Sequence, residues 1–222
     1  MASGPTRPEM IPNPAARRLS FYLRQLELYQ KKGRRTISSK QLGLVLGYTD
    51  AQVRKDFAYF GQFGHPGVGY RVDDLILRIR QILGTDKKWD VILFGAGNLG
   101  RALLAYGGFD AKGFRLVAVF DSDPDKIGTM VGDYQIRPAT SASVFIQENH
   151  VRLAVLAVPA EVAQDATDDL VSAGIEGLLN FAPLALIVPS NVALTSVDLA
   201  VQLEQLSFQV GFAESARRRQ LR

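Results

Sequence analysis

The chain has 222 residues, 47% hydrophobic and 22% charged, enough apolar side chain for one large packed domain or two small ones. It contains no cysteine, which excludes disulfides, zinc–thiolate centres and cysteine nucleophiles, and its two histidines, His65 and His150, lie too far apart in sequence to suggest a metal site. The formal charge of +4 is uneven: residues 1–85 carry 14 Lys/Arg against 6 Asp/Glu and residues 86–222 carry 12 against 16, which points the first part toward a polyanion, although an uneven spread of solvated charges gives the same count.

The start, MASGPTRPEMIPNPAARR, lacks the apolar stretch of a secretory signal, and residues 1–13 are expected to form a disordered arm. Leu19, Tyr22, Leu23 and Leu26 recur at helical spacing and predict a helix over 14–31, closed by Gly33. Two capping patterns follow, Ser38 to Gln41 and Thr49 to Gln52, with Gly47 between them where a tight turn needs positive φ. Two short helices so joined outline a helix-turn-helix. Gly61, Gly64, Pro66, Gly67 and Gly69 then predict a two-stranded wing, and residues 73–83 a last helix, giving a winged helix-turn-helix over 14–85. On the helix predicted for 50–60, Val53, Phe57 and Phe60 face the core and leave Gln52, Arg54, Lys55 and Tyr59 wholly or partly outward. Such side chains suit base edges in a major groove. Arg34, Arg35 and Lys40 are candidates for phosphate contacts, and His65 and Arg71 on the wing for the minor groove. A solvated helix face has the same composition.

From residue 86 to 197 short apolar runs alternate with helical stretches, the pattern of a parallel doubly wound sheet. Strands are expected at 90–95, 116–121, 152–158, 177–182 and around 192–197. The uncharged run 177–197 is broken by Pro183 and Pro189, so it suits buried strands and loops better than a membrane helix, and a cytoplasmic location is expected. The first strand leads into Gly95-Ala96-Gly97-Asn98-Leu99-Gly100. In that spacing Gly95 allows the sharp turn, Gly97 the approach of a pyrophosphate and Gly100 close helix packing, with phosphates on the helix N-terminus. Asp121 ends the second strand, where a carboxylate accepts ribose hydroxyls and repels a 2′-phosphate, so NAD(H) is favoured over NADP(H). A tight turn with no ligand is the alternative. No catalytic residue is expected: His65 belongs to the wing, His150 to the far end of a strand, and the loops Val158-Pro159-Ala160 and Asn180-Phe181-Ala182-Pro183 move no protons. Residues 198–212 again have helical spacing, and Arg217, Arg218 and Arg219 mark a frayed basic tail over 215–222.

The runs TDAQVRKDFAYFGQFGHPGVGY (49–70), FGAGNLGRAL (94–103), FDSDPDKIG (120–128), LNFAP (179–183) and VDLAVQLEQLSF (197–208) resemble the Rex family of bacterial redox-sensing transcriptional repressors, from about Arg17 to about Phe212. The resemblance implies an α/β protein, an N-terminal winged helix-turn-helix plus a C-terminal Rossmann domain, acting as a homodimer on inverted-repeat operator DNA with NADH/NAD⁺ as cofactor. It implies that the C-terminal helix, 198–214, is swapped between subunits. It adds Ser122 and Lys126 beside Asp121; Val158, Pro159, Asn180, Phe181 and Ala182, in loops on the carboxyl edge of the sheet, are already candidates to line a nicotinamide pocket. Tyr106 would lie near that ring. Asp198, followed by Leu199, would reach the partner's cofactor site or the Arg24 region as an interdomain switch. Asn98 and Leu199 fall at positions that vary within the family. The expected function is repression while NADH is low and release when it binds; the rivals are an NAD-dependent oxidoreductase with a basic N-terminal domain and a CoA- or nucleotide-binding module.

Overall fold

The computed structural model describes residues 13–59 and 69–220. They fall into two compact units that divide between Lys87 and Lys88.

In the first unit, helix α1 (Asn13–Lys31) buries Leu19, Tyr22 and Leu26 against Leu75, Ile76 and Ile79 of α4 (Val72–Leu83). Between them lie α2 (Ser39–Leu46) and α3 (Asp50–Ala58). Ser38 and Gln41 form both halves of the expected capping box. Thr49 accepts the Gln52 N–H at 3.1 Å, but the Gln52 amide bonds Asp56 instead of completing a second box. Gly47 ends α2 at φ 73°. Gly43 sets the closeness of the turn, since a Cβ there would lie 2.4 Å from the Tyr48 carbonyl oxygen. Strand β1 (Thr36–Ile37), which has no counterpart among the expected elements, pairs antiparallel with β2 (Tyr70–Arg71), which lies in the segment expected to form the wing, and the pair ties the start of the helix-turn-helix to α4. Most of the expected wing, with His65, and Phe60, expected to face the core, lie outside the described residues.

A saturated carboxylate joins α3 to α1. The fully buried Asp56 accepts Arg18 Nε at 2.6 Å and Nη2 at 2.7 Å, the Tyr22 hydroxyl at 2.8 Å and Gln52 Nε2 at 2.8 Å. Burial by itself pushes the carboxyl up, but the bonds from Arg18, Tyr22 and Gln52 outweigh it and hold the group below the usual carboxylate value.

The second unit is a seven-stranded sheet flanked by helices. Its strands are β3 (Trp89–Phe94), β4 (Phe114–Asp121), β5 (Met130–Val131), β6 (Tyr134–Pro138), β7 (Leu153–Leu156), β8 (Gly177–Asn180) and β9 (Ala193–Ser196), in the order β5-β6-β4-β3-β7-β8-β9. All pairs are parallel except β5–β6. Without that terminal hairpin strand the order is the one that reverses beside the first strand, β3, and leaves a crevice at the carboxyl ends of β3 and β7. Helices α5 (Asn98–Ala105), α6 (Ala142–Asn149) and α7 (Ala160–Ala173) provide crossovers. Ile92, Phe120 and Leu156 are buried on one face and Leu93, Val119 and Val155 on the other, as a sheet covered on both sides requires. Helix α8 (Leu199–Gln220) continues through most of the segment expected to be a tail. Among the described residues, no helix is long and apolar enough to cross a membrane.

Replacing Asp56 with Ala orphans Arg18 and the Tyr22 hydroxyl and is expected to cost about 3–5 kcal/mol in urea unfolding followed by circular dichroism. Because the folded carboxyl is depressed, the gap between native and variant chains is complete above about pH 4 and closes as pH falls through the depressed value.

Candidate cofactor cradle and nucleic-acid interface

The turn between β3 and α5 is built from three glycines with different tasks. Gly95 takes φ 102°, and a Cβ on it would stand 2.4 Å from the Ala157 carbonyl oxygen and 2.9 Å from Val158 Cγ1. Gly100 sits under that turn, where a Cβ would meet the Gly95 carbonyl oxygen at 2.0 Å and Leu93 of β3 at 3.5 Å. Protein fills the space at both. Gly97 has nothing within 4 Å of its Cβ position and carries no side chain to cap α5. The N–H groups of the first turn of α5 therefore open onto a bare glycine, the arrangement that receives an anion.

Asp121 closes one side of this cradle. It is buried, and its carboxylate accepts the Ala96 N–H at 2.7 Å and the Asp123 N–H at 2.8 Å, with the Lys126 ammonium 3.4 Å away. Burial pushes the carboxyl up, but the Asp123 and Ala96 N–H groups together with Lys126 more than reverse this, so it stays ionised. Lys126 also pairs with Asp123 at 3.2 Å, and Ser122 is exposed. Arg101, which the sequence reading passed over, donates from Nε to the Ala96 carbonyl at 3.2 Å and fixes the other end of the same residue. The residues present fit a dinucleotide: an open anion seat, and an ionised carboxylate one strand away where a ribose belongs.

The expected nicotinamide side is met only partly. Val158 lies against Gly95 at the reversal point of the sheet and is half-buried, with Pro159 exposed beside it. Asn180, expected to line the pocket, is completely buried. Its Nδ2 donates to the Ala182 and Leu184 carbonyls, each at 3.1 Å, and to Ser196 Oγ at 3.3 Å, while its Oδ1 accepts the Ala182 N–H at 2.8 Å. It shapes the loop that carries Phe181 and Ala182, with its amide engaged within the protein. Tyr106 caps the far end of α5, about 12 Å along the axis from the glycine-rich turn, and its exposed ring stacks edge-on with Phe109. Asp198 caps α8, accepting the Ala200 N–H at 2.9 Å and the Val201 N–H at 3.2 Å, and Leu199 beside it is exposed. His150 ends α6 at φ 52°, just before the amino end of β7 and so at the edge opposite the cradle, as expected.

On the first unit, Arg54 and Lys55 are exposed along α3, with Arg54 held by Asp50 at 2.6 Å. Tyr59 is half-buried against the core. Lys40 and Arg71 are exposed, and so is Arg24 on α1. Arg34 and Arg35 line an open cavity of about 310 Å³ with Ser38 and Gln41 of the α2 cap. Cations beside a helix N-terminus make that cavity suited to a phosphate. Among the described residues, no group of three or more His, Cys, Asp or Glu could hold a metal ion.

A family model described as a putative DNA-binding protein N-terminus matches residues 10–58, and one described as a CoA binding domain matches residues 86–184. The redox-sensing transcriptional repressor Rex of Carboxydothermus hydrogenoformans is 48% identical over 90% of this chain and 96% of its own length, and that of Desulforamulus reducens is 46% identical over 92% and 97%. The chain belongs to the Rex family. A crystal structure of RSP, a Rex-family repressor, is 35% identical with a TM-score of 0.87, covering 94% of this chain and 98% of that one. RSP in complex with β-NAD⁺ and operator DNA gives a TM-score of 0.89 at 36% identity, again over 94% of this chain and with 96% of that chain covered. Both of these relatives are named as transcriptional repressors, a class of regulator.

The three glycines separate in a mutational test. Gly97→Ala should leave the melting temperature unchanged while weakening NADH binding at least tenfold, since its methyl enters only the open seat. Gly100→Ala should cost about 1–3 kcal/mol of stability by overpacking. Thermal unfolding and NADH fluorescence titration measure the two effects.

Proposed function

We propose that this chain is a cytoplasmic repressor that binds operator DNA as a homodimer when NADH is scarce and releases it when NADH binds. The observation that carries this reading is the open seat at Gly97 beside an ionised Asp121, in one chain with a capped helix-turn-helix. RSP, similar over nearly the whole chain, has been solved in complex with β-NADH and in complex with β-NAD⁺ and operator DNA, which supports the same pairing of ligands here.

In this reading Gly95 to Gly100 receive the diphosphate on the N-terminus of α5, Asp121 accepts the adenosine ribose hydroxyls, and Ser122 and Lys126 flank them. Val158, Pro159, Phe181 and Ala182 face the nicotinamide, joined by Tyr106 and by Asp198 and Leu199 of a second copy. The nicotinamide ring is cationic when oxidised and uncharged when reduced. Enclosure of the ring by the apolar Val158, Pro159, Phe181 and the second copy's Leu199 therefore costs more for the oxidised form, and the enclosed arrangement is the one NADH selects. Helix α8 leaves Leu203, Leu206, Phe208 and Phe212 exposed along its length, and a second copy would cover them by exchange of the helix. Asp198 would leave the cofactor region for the Arg24 region as the state changes. Lys55, Arg54, Tyr59 and His65 would meet the duplex with Arg71, while Arg34 and Lys40 hold phosphates. A two-fold dimer fits an inverted repeat with half-sites spaced by whole helical turns.

Coupling of this kind is reciprocal, so operator should weaken NADH binding by the factor that NADH weakens operator binding, and a nearly complete switch needs about 5.5 kcal/mol of differential affinity. In fluorescence anisotropy on a labelled inverted repeat, NADH should displace the chain at concentrations where NAD⁺ does not; equal displacement by the two overturns the reading. Asp121→Asn should cut the preference for NADH over NADPH at least tenfold, measured by titrating both.

A further inference from the structure

The four hydrogen bonds on Asp56 decide which way a neighbouring amide faces. A carboxylate has about four lone-pair sites and no donor when ionised. Here both oxygens are doubly occupied, Oδ2 by Arg18 Nε and the Tyr22 hydroxyl, Oδ1 by Arg18 Nη2 and Gln52 Nε2. The group is completely buried and has no solvent to relieve a mismatch. Turning the Gln52 amide over would set its carbonyl oxygen against that carboxylate. The assignment of nitrogen toward Asp56, ambiguous for most glutamines, is therefore fixed by chemistry. Gln52 keeps one N–H and its Oε1 for other partners.

Gln52 is the third residue of α3, half-buried at its flank and in the first turn, the part of a recognition helix that contacts base edges. One acceptor and one donor side by side complement the N6 amino group and N7 of adenine, whereas guanine offers two acceptors at that edge. We propose that Gln52 reads an adenine in the major groove and that Asp56 is the positioning residue that fixes the reading polarity, tied through Arg18 and Tyr22 to α1. This inference rests on the operator-binding reading above.

The test is a set of labelled inverted repeats in which each half-site base pair is changed in turn, with binding of the full-length native chain, Gln52→Leu and Asp56→Asn followed by anisotropy. At one A·T pair the native chain should prefer adenine over guanine by about tenfold. Gln52→Leu should flatten that preference and leave those at the other pairs unchanged. Asp56→Asn, which can accept or donate and so lets the amide turn over, should reduce the same preference. If Asp56→Asn does not fold, Gln52→Leu alone decides. Uniform weakening by Gln52→Leu at every pair, or an unchanged preference profile, overturns the inference while leaving operator binding intact. A native chain with no sequence preference at any pair would overturn the operator-binding reading itself.

Discussion

Everything at the cradle depends on a backbone approach too close for any side chain. The Gly95 carbonyl lies where a Cβ of residue 100 would be, and the Ala157 carbonyl lies where a Cβ of residue 95 would be. Those two contacts lock the exit of β3, the start of α5 and the exit of β7 into one unit. With the turn pinned, Ala96 points its N–H at Asp121 and its carbonyl at Arg101, and the face of Gly97 is left open. The acid on β4 has a structural task as well as a binding one: it fixes the turn whose ligand it is suited to recognise.

The same device recurs in the first unit. Asp56 and Asp121 are both buried carboxylates kept charged by hydrogen-bond donors around them, and each joins segments distant in sequence. A buried charge without such donors costs several kcal/mol, so each is an all-or-none junction. In one case the junction shapes a phosphate turn, and in the other it ties a recognition helix to the helix before it.

How far these features are legible in the sequence follows from their range. The glycine spacing, the Ser38 capping box, the Gly47 turn and Asp121 are local patterns, each set by chemistry within a few residues, and the five strands rich in Val, Leu and Ile declare themselves by composition. Strand β6 does not, because only Ile136 of Tyr134–Pro138 is buried, and two-residue strands such as β1 and β2 have no period to detect. Asp56 is hidden for a different reason. In a basic helix an acid resembles a solvated charge, and its partners Arg18 and Tyr22 are more than thirty positions away. Asn180 is ambiguous in sequence because a polar residue at a strand's carboxyl end suits a ligand as well as a loop, and only the fold shows the hydrogen bonds its amide makes within the loop. Gly43 carried a signal, a glycine inside a short helix before a turn, that spacing alone does not interpret.

Asn180 has a consequence beyond its own loop. By bonding three acceptors and one donor around residues 180–184 and Ser196, it stitches the ends of β8 and β9 into a rigid shelf. A shelf already ordered charges little conformational entropy to whatever settles on it. Free energy released on association is then left for moving larger parts of the molecule, as a sensor requires, instead of being absorbed by a floppy wall.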